Sequence, residues 1–271
     1  MCGAPLDLYD LAALEAALAG TVFAGKLHFS AVTDSTNADA LAAARSGQPH
    51  GSVYFADEQR AGRGRGDHAW QSAAGDGLYV SVLLRPPIPA LRLPLLPLAA
   101  GLAVAEAIRN AAGLTIDLRW PNDLLIGARK AGGILVESKI ENGAAAFAVV
   151  GIGVNVHQSV FAADLATPAS SLDLEAKRRV SRQDLLVSLL KSLEREALGL
   201  AGPAAGISIP ERVAQASTWI RGRRVEVHGP QACTGVTAGL DENGFLLVRT
   251  DDGLVTVQTG GIRREQGASA S

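Results

Sequence analysis

Cysteine is nearly absent. The two that occur, Cys2 and Cys233, lie at opposite ends of the chain, which excludes a Cys-rich metal site and a Cys-x-x-Cys redox pair. Aromatic residues are equally scarce, at 4% of the sequence, and they do not interleave with basic residues as in single-strand nucleic-acid binders. Charge of one sign is lacking too. With 25 Lys+Arg against 27 Asp+Glu the net charge is −2, so no global field draws the molecule to nucleic acid or to an anionic membrane, and any bound anion must be held by local charge. The start shows no basic segment followed by a signal-like apolar stretch, so the cytoplasm is the expected compartment. The most apolar run, Leu93 to Ala105, is broken by Pro94 and Pro97 and followed by Glu106; it is too short for a bilayer and reads as a buried helix. No internal repeat is found.

What the chain does have is a 48% hydrophobic content over 271 residues, enough for a sizeable core. Leu8, Leu11, Leu14 and Leu18 recur near helical spacing and Gly20 closes the run, predicting an amphipathic helix that acts as a lid or brace. A strand over Lys26 to Ala31, a polar turn at Thr33 to Asn37 and an alanine-rich helix ending near Gly47 follow. Strands are predicted at Ser52 to Glu58, Leu78 to Leu84, Thr115 to Trp120, Gly133 to Glu137 and Phe147 to Val156, with a helix over Pro97 to Ala112. Strands and helices mix without strict alternation, which predicts an α+β fold with helices on one face of a mixed sheet. Ser181 caps a further helix, with Asp184 at its third position and Gly199 at its end, and Pro210 starts a shorter one. From Trp219 the texture turns to short β-runs, Arg224 to His228, Cys233 to Leu240, Phe245 to Arg249 and Leu254 to Gln258, separated by Glu242-Asn243-Gly244 and Asp251-Asp252-Gly253. The expected organisation is a main domain over residues 1–218, a small β-barrel over 219–265, and a frayed tail over 266–271.

Three segments carry chemistry. The run Glu58-Gln59-Arg60-Ala61-Gly62-Arg63-Gly64-Arg65-Gly66-Asp67-His68-Ala69-Trp70 joins glycines, which let backbone approach a ligand, to paired guanidinium forks suited to phosphate or carboxylate. An arginine–glycine tract can also be a solvated loop or an RNA-binding tail. This one is single, short, set between two strands and followed by Trp70, which favours a loop that covers a ligand. The second segment is Arg119-Trp120-Pro121-Asn122-Asp123 with Arg129-Lys130 and Gly132-Gly133. Here Pro121 ends a strand, Asn122-Asp123 makes a polar turn exposing a carboxylate, and the glycine pair leaves room beside Lys130 for a flat ligand. Taken singly, these are also an ordinary turn and an ordinary surface cation. The third is Gly151-Ile152-Gly153-Val154-Asn155, a buried strand whose alternate glycines predict that a ligand or a helix presses on that face. No third glycine opens a helix, so a nicotinamide cofactor is discarded.

The ordered set Asp34-Ser35-Thr36-Asn37, Glu58-Gln59 with Ala61 to Arg65, Trp120 to Asp123, Arg129-Lys130 with Gly132 to Leu135, and Gly151 to Asn155 resembles the biotin–protein ligase family from the first strand to the last barrel strand. The resemblance implies a biotin/lipoate ligase-type catalytic domain with an SH3-like barrel behind it. It also implies activation of biotin by ATP to biotinyl-5'-AMP and transfer to a lysine of a biotin carboxyl carrier domain. By the same resemblance Ser35, Thr36, Asn37, Gln59, Arg63, Gly64, Arg65 and Lys130 bind biotin, and Lys130, Arg63, Arg65 and Asp123 serve the reaction. Trp120, Asn122 and Asn155 belong to the nucleotide, which magnesium accompanies. The family's loop usually carries a further glycine–arginine pair where this chain has Gly66-Asp67-His68, so no role is carried onto Asp67 or His68. The two reacting anions repel, and Arg63, Arg65 and Lys130 are the cations expected to converge on them. The competing readings are a lipoate or octanoate ligase, an adenylate-responsive regulator and a nucleic-acid binder. The Ser-Thr-Asn turn suits a polar ring better than an aliphatic chain, and about twenty-five residues before the first strand are too few for a helix-turn-helix. Neither DNA nor membrane is an expected partner, and either a monomer or a homodimer is compatible with the sequence.

Overall fold

The computed structural model describes residues 9–66, 68–201 and 207–265. Leu8, Asp67 and the tail 266–271 therefore lie outside the described residues. A seven-stranded sheet has the order β1 (Leu27–Thr33), β2 (Ser52–Gln59), β3 (Gly77–Leu84), β7 (Ala144–Asn155), β6 (Arg129–Glu141), β5 (Asp123–Ile126), β4 (Asp117–Arg119). Only β1 and β2 pair in parallel, because α2 (Thr36–Arg45) carries the chain over between them; the other neighbours are antiparallel.

Strand β3 is buried at all eight positions, which requires cover on both sides. Leu78, Val80, Val82 and Leu84 join the main core with α3 (Leu95–Ala112) and α5 (Arg182–Ala201). Leu83 instead meets Ala40 and Ala44 of α2, with Phe147 and Val149. The expectation of helices on one face is corrected accordingly: α2 lies on the other, and its N-terminus opens onto the site described below. The length argument against a membrane span is corrected as well. Ala90–Ala112 is long and apolar enough to cross a bilayer by those measures alone. Its apolarity is used in the core, where Leu95, Leu96, Ala100, Ala103, Val104 and Ile108 are all buried, and Gly113 ends the helix in the left-handed region.

Helix α1 (Leu11–Ala17) is capped by Asp10, and Gln183 of α5 accepts from the Asp10 N–H. Ser181 caps α5 through the Asp184 N–H as predicted, but α5 runs past Gly199 to Ala201. None of α4 (Leu172–Ala176), β5 and β12 (Gly261–Arg264) was predicted, β5 because Asn122-Asp123 reads as a turn. Helix α6 (Ile209–Gln215) starts at Ser208 with a capping box. Behind it, a five-stranded antiparallel sheet has the order β11 (Gly253–Val257), β10 (Leu246–Thr250), β9 (Cys233–Leu240), β8 (Arg221–His228), β12 (Gly261–Arg264). This SH3-like unit is not a hydrogen-bonded closed barrel, since β11 and β12 remain edges.

Candidate functional site

Strands β2, β3, β7 and β6, the loops above them and the His228–Gly229 and Thr259–Arg263 segments of the C-terminal unit line an open cavity of about 850 Å³. At one end α2 begins. Thr36 donates its backbone N–H to Gln59 Oε1 at 2.9 Å, and its hydroxyl lies 3.1 Å from the same oxygen and 2.8 Å from Ser81 Oγ. Ser81 donates to Asn37 Oδ1 at 2.6 Å, and Asn37 Nδ2 donates to Glu137 Oε2 at 2.9 Å. Gln59 Nε2 donates to Ser72 Oγ at 2.8 Å, closing the network at the base of the glycine–arginine loop. Ser35, Thr36 and Asn37 are all buried. The position of Ser81 in an apolar strand was the one sequence signal for its part; Glu137 had none.

Of the two causes expected for the alternate glycines of β7, a neighbouring helix accounts for Gly151, which faces Asn37 in the first turn of α2, while Gly153 faces a loop residue. A Cβ on Gly151 would collide with Asn37 Oδ1, and one on Gly153 would stand 2.6 Å from Trp70 Nε1. Gly133 of β6 faces the same indole, and a Cβ there would stand 3.6 Å from Trp70 Cζ3. The flat group against Gly153 and Gly133 is thus Trp70 itself, whose buried Nε1–H has no hydrogen-bond acceptor among the described residues. An unmatched buried donor beside a cavity is costly unless something fills it.

At the other end the expected turn at Asp123 is corrected. Asp123 opens β5 opposite Arg119, the chain reversing over Trp120–Asn122 with a cis bond before Pro121. Its carboxylate is not free: Oδ2 takes Arg119 Nε and a terminal nitrogen at 3.0 and 2.7 Å, and Oδ1 meets Lys130 Nζ at 2.5 Å. Burial pushes the Asp123 pKa up, but Lys130 and Arg119 together outweigh it and hold the carboxyl below its ordinary range. Lys130 Nζ also stands 5.7 Å from the Trp70 ring centre. Asn155 Nδ2 donates to Ser170 O at 3.0 Å, and Asn122 Nδ2 to Ile134 O at 2.7 Å, so both amides brace backbone around Lys130. Trp120 is buried and donates Nε1–H to Gly244 O of the C-terminal sheet at 3.0 Å.

The three cations expected to converge, Arg63, Arg65 and Lys130, all line this one cavity, and each is held there by a partner of its own. Arg63 pairs with Glu137 at 2.9 Å at the Asn37 end, and Arg65 donates to Gly260 O of the C-terminal sheet at 2.7 Å. Lys130 pairs directly with Asp123, beside Arg119. Gly64 keeps the loop narrow, its N–H bonded to His68 O at 2.7 Å.

Residues 29–155 match the model of the biotin/lipoate A/B protein ligase family, and residues 221–262 that of the biotin protein ligase C-terminal domain. A biotin–[acetyl-CoA-carboxylase] ligase of Mycobacterium tuberculosis is 33% identical over 242 residues, covering 88% of this chain and 88% of that protein. The chain belongs to the biotin protein ligase family. It is an enzyme of the ligase class, and the expected fold is shown with it. The bifunctional ligase/repressor BirA of Bacillus subtilis is 32% identical over 85% of this chain and 71% of its own length. Among solved structures, a biotin protein ligase of Aquifex aeolicus in complex with biotin and ATP superposes with a TM-score of 0.75 at 28% identity, over 89% of this chain and 100% of that one.

Proposed function

We propose that this ligase activates biotin with ATP to biotinyl-5'-AMP and passes the biotinyl group to one lysine of the biotin carboxyl carrier domain of a carboxylase, in the cytoplasm. The observation that carries the reading is the polarity of the cavity. A neutral hydrogen-bonding end at Ser35, Thr36, Asn37 and Gln59 suits a ureido ring, the Trp70 indole suits an apolar chain, and Lys130 with Arg119 suits a carboxylate meeting a phosphate. The relatives' names and the ligands of the Aquifex aeolicus structure support the same assignment.

The biotin carboxylate attacks the α-phosphorus of ATP, the bond to the β-phosphate oxygen breaks, and pyrophosphate leaves. The amine of the acceptor lysine then attacks the acyl carbon, AMP leaves, and the amine proton passes to solvent. Lys130 offsets the repulsion between the two anions, with Asp123 holding it in place. Arg63 and Gly64 belong to the ring end of the loop, and Arg65 to the end that retains the adenylate. Trp120, Asn122 and Asn155 shape the nucleotide side. Among the described residues no three His, Cys, Asp or Glu side chains gather to hold a metal, and Asp123 is already occupied by two cations. Magnesium is therefore read as part of the substrate, arriving with ATP. We further divide the chain at residues 218 and 219, where the turn after α6 leads into the second sheet.

The test incubates the full chain with ATP, magnesium, biotin and a carrier domain, with lipoate in a parallel tube. The carrier should gain the mass of one biotinyl group. A gain with lipoate alone, or none with biotin, overturns the reading.

A further inference from the structure

Glu137 lies outside every residue so far given a role, yet one of its oxygens, Oε2, accepts from both Asn37 Nδ2 and Arg63, each at 2.9 Å. A carboxylate only accepts. It therefore fixes which way the Asn37 amide faces, nitrogen toward Glu137 and oxygen toward Ser81. The Ser81 hydroxyl has one hydrogen, and Asn37 Oδ1 takes it at 2.6 Å. The Thr36 hydroxyl hydrogen is then left to face Ser81 Oγ at 2.8 Å or Gln59 Oε1 at 3.1 Å, each an acceptor within the protein. The hydroxyl hydrogen of Thr36 is spent inside the protein, and the lone pairs of Thr36 Oγ1 are left for the cavity. Gln59 Oε1 is served by the Thr36 backbone N–H, and Gln59 Nε2 faces Ser72 and keeps a second hydrogen. Were the relay reversed, the Ser81 hydrogen would occupy Thr36 Oγ1 and the cavity would lose that acceptor.

We propose that Glu137 is a positioning residue that sets the direction of this hydrogen-bond relay, so that the neutral end of the cavity accepts N–H groups and selects a cyclic urea over a ring or chain without them. Arg63 is tied to the same oxygen, so the loop is anchored at the end where the ring is recognised. The inference rests on the proposed biotin reading and deepens it.

The test measures biotin-dependent pyrophosphate release by the full chain, with KM for biotin, KM for ATP and kcat determined separately, for wild type, Glu137→Ala, Glu137→Gln and Ser81→Ala. Biotin and biotin methylated on its ring nitrogens are compared with each. Glu137→Ala and Ser81→Ala should raise KM for biotin about tenfold, the scale of one misdirected hydrogen bond, with kcat and KM for ATP little changed. In both, the penalty for ring methylation should shrink, because the acceptor it offends is no longer fixed. Glu137→Gln keeps an acceptor oxygen without the charge and should restore most of the affinity. The proposal is overturned if KM for biotin stays at the wild-type value in Ser81→Ala, or if Glu137→Gln is as defective as Glu137→Ala. A change in kcat alone overturns it as well. Absence of biotin-dependent pyrophosphate release in wild type would instead sink the proposed function, so the two failures are distinguishable; Ser81→Ala carries the test should Glu137→Ala not fold.

Discussion

The charge of Lys130, the cation proposed to meet the substrate, is already matched by Asp123, and Asp123 is in turn matched by Arg119. A cation held in this way costs little reorganisation when a phosphate arrives, which is the form of stabilisation that contributes most to group transfer. Lys130→Ala should therefore lower adenylate formation by about a hundredfold or more, read as pyrophosphate release, with the fold intact and the melting temperature lowered only by the loss of the Asp123 pair. Release at the wild-type rate would remove Lys130 from the reaction. Asp123 makes a separate prediction about acid. Its pKa is depressed in the folded state, so the stability it contributes is present above the ordinary carboxylate range and is lost as pH falls through the lower folded value. Asp123→Asn should melt earlier than wild type at neutral pH, and the gap should narrow below about pH 4. A gap that keeps its full size in acid would show that the ion pairs are not its source.

At the scale of elements, the glycines of β7 and the glycine–arginine loop form one device. The loop is pinned at Gln59–Ser72 and at Gly62–Trp70, where the Trp70 N–H donates to Gly62 O at 2.8 Å, and this drops the indole onto Gly153. Gly153→Ala would force the ring away by overpacking, a cost of about 1–3 kcal/mol. Weaker biotin binding and altered indole fluorescence are expected, and a titration with unchanged affinity would show that the ring position does not matter. Because the same loop spans the ring end through Arg63 and the far side through Arg65, biotin and ATP together should raise the melting temperature by more than the sum of their separate shifts. Additive shifts would mean that the loop does not couple the two ligands. The strand–turn–helix at the start of the site was legible from Asp34 to Asn37, because polar turn residues before an alanine run have a local cause. Strand β5 was not, since its pairing with Arg119 and Gly133 depends on partners that the turn-like residues do not announce.

Across the whole molecule, one hydrophobic cluster runs from the catalytic sheet through Trp219, Ile220 and Val225 to Leu246 of the C-terminal sheet. Trp120 donates to Gly244 across this junction, and Arg65 donates to Gly260. Burial lowers the Arg65 pKa, Asp123 acting against it. Its guanidinium is thus the loop's fastening to the second sheet, and Arg65→Gly should let the loop open before the acceptor lysine attacks. In a mixture with ATP, biotin, the carrier and an unrelated lysine-rich protein, the variant should label the bystander, which wild type spares. Labelling confined to the carrier would show that Arg65 does not retain the intermediate.

The sequence by itself determined the two-part organisation, most of the strands, the family and the segments that build the site, because turn chemistry, period-two burial and ordered motifs are local properties of the chain. It also announced, through Gly151 and Gly153, that something must press on β7. Only the tertiary structure decided what that was, because Asn37 and Trp70 reach those glycines from 114 and 83 residues away along the chain, as counted from their numbers. The partners of Arg63, Arg65 and Lys130 were decided there too. Charges near one another in sequence look interchangeable, and each acquires its own task from the partner folding brings to it: Glu137, Gly260 or Asp123.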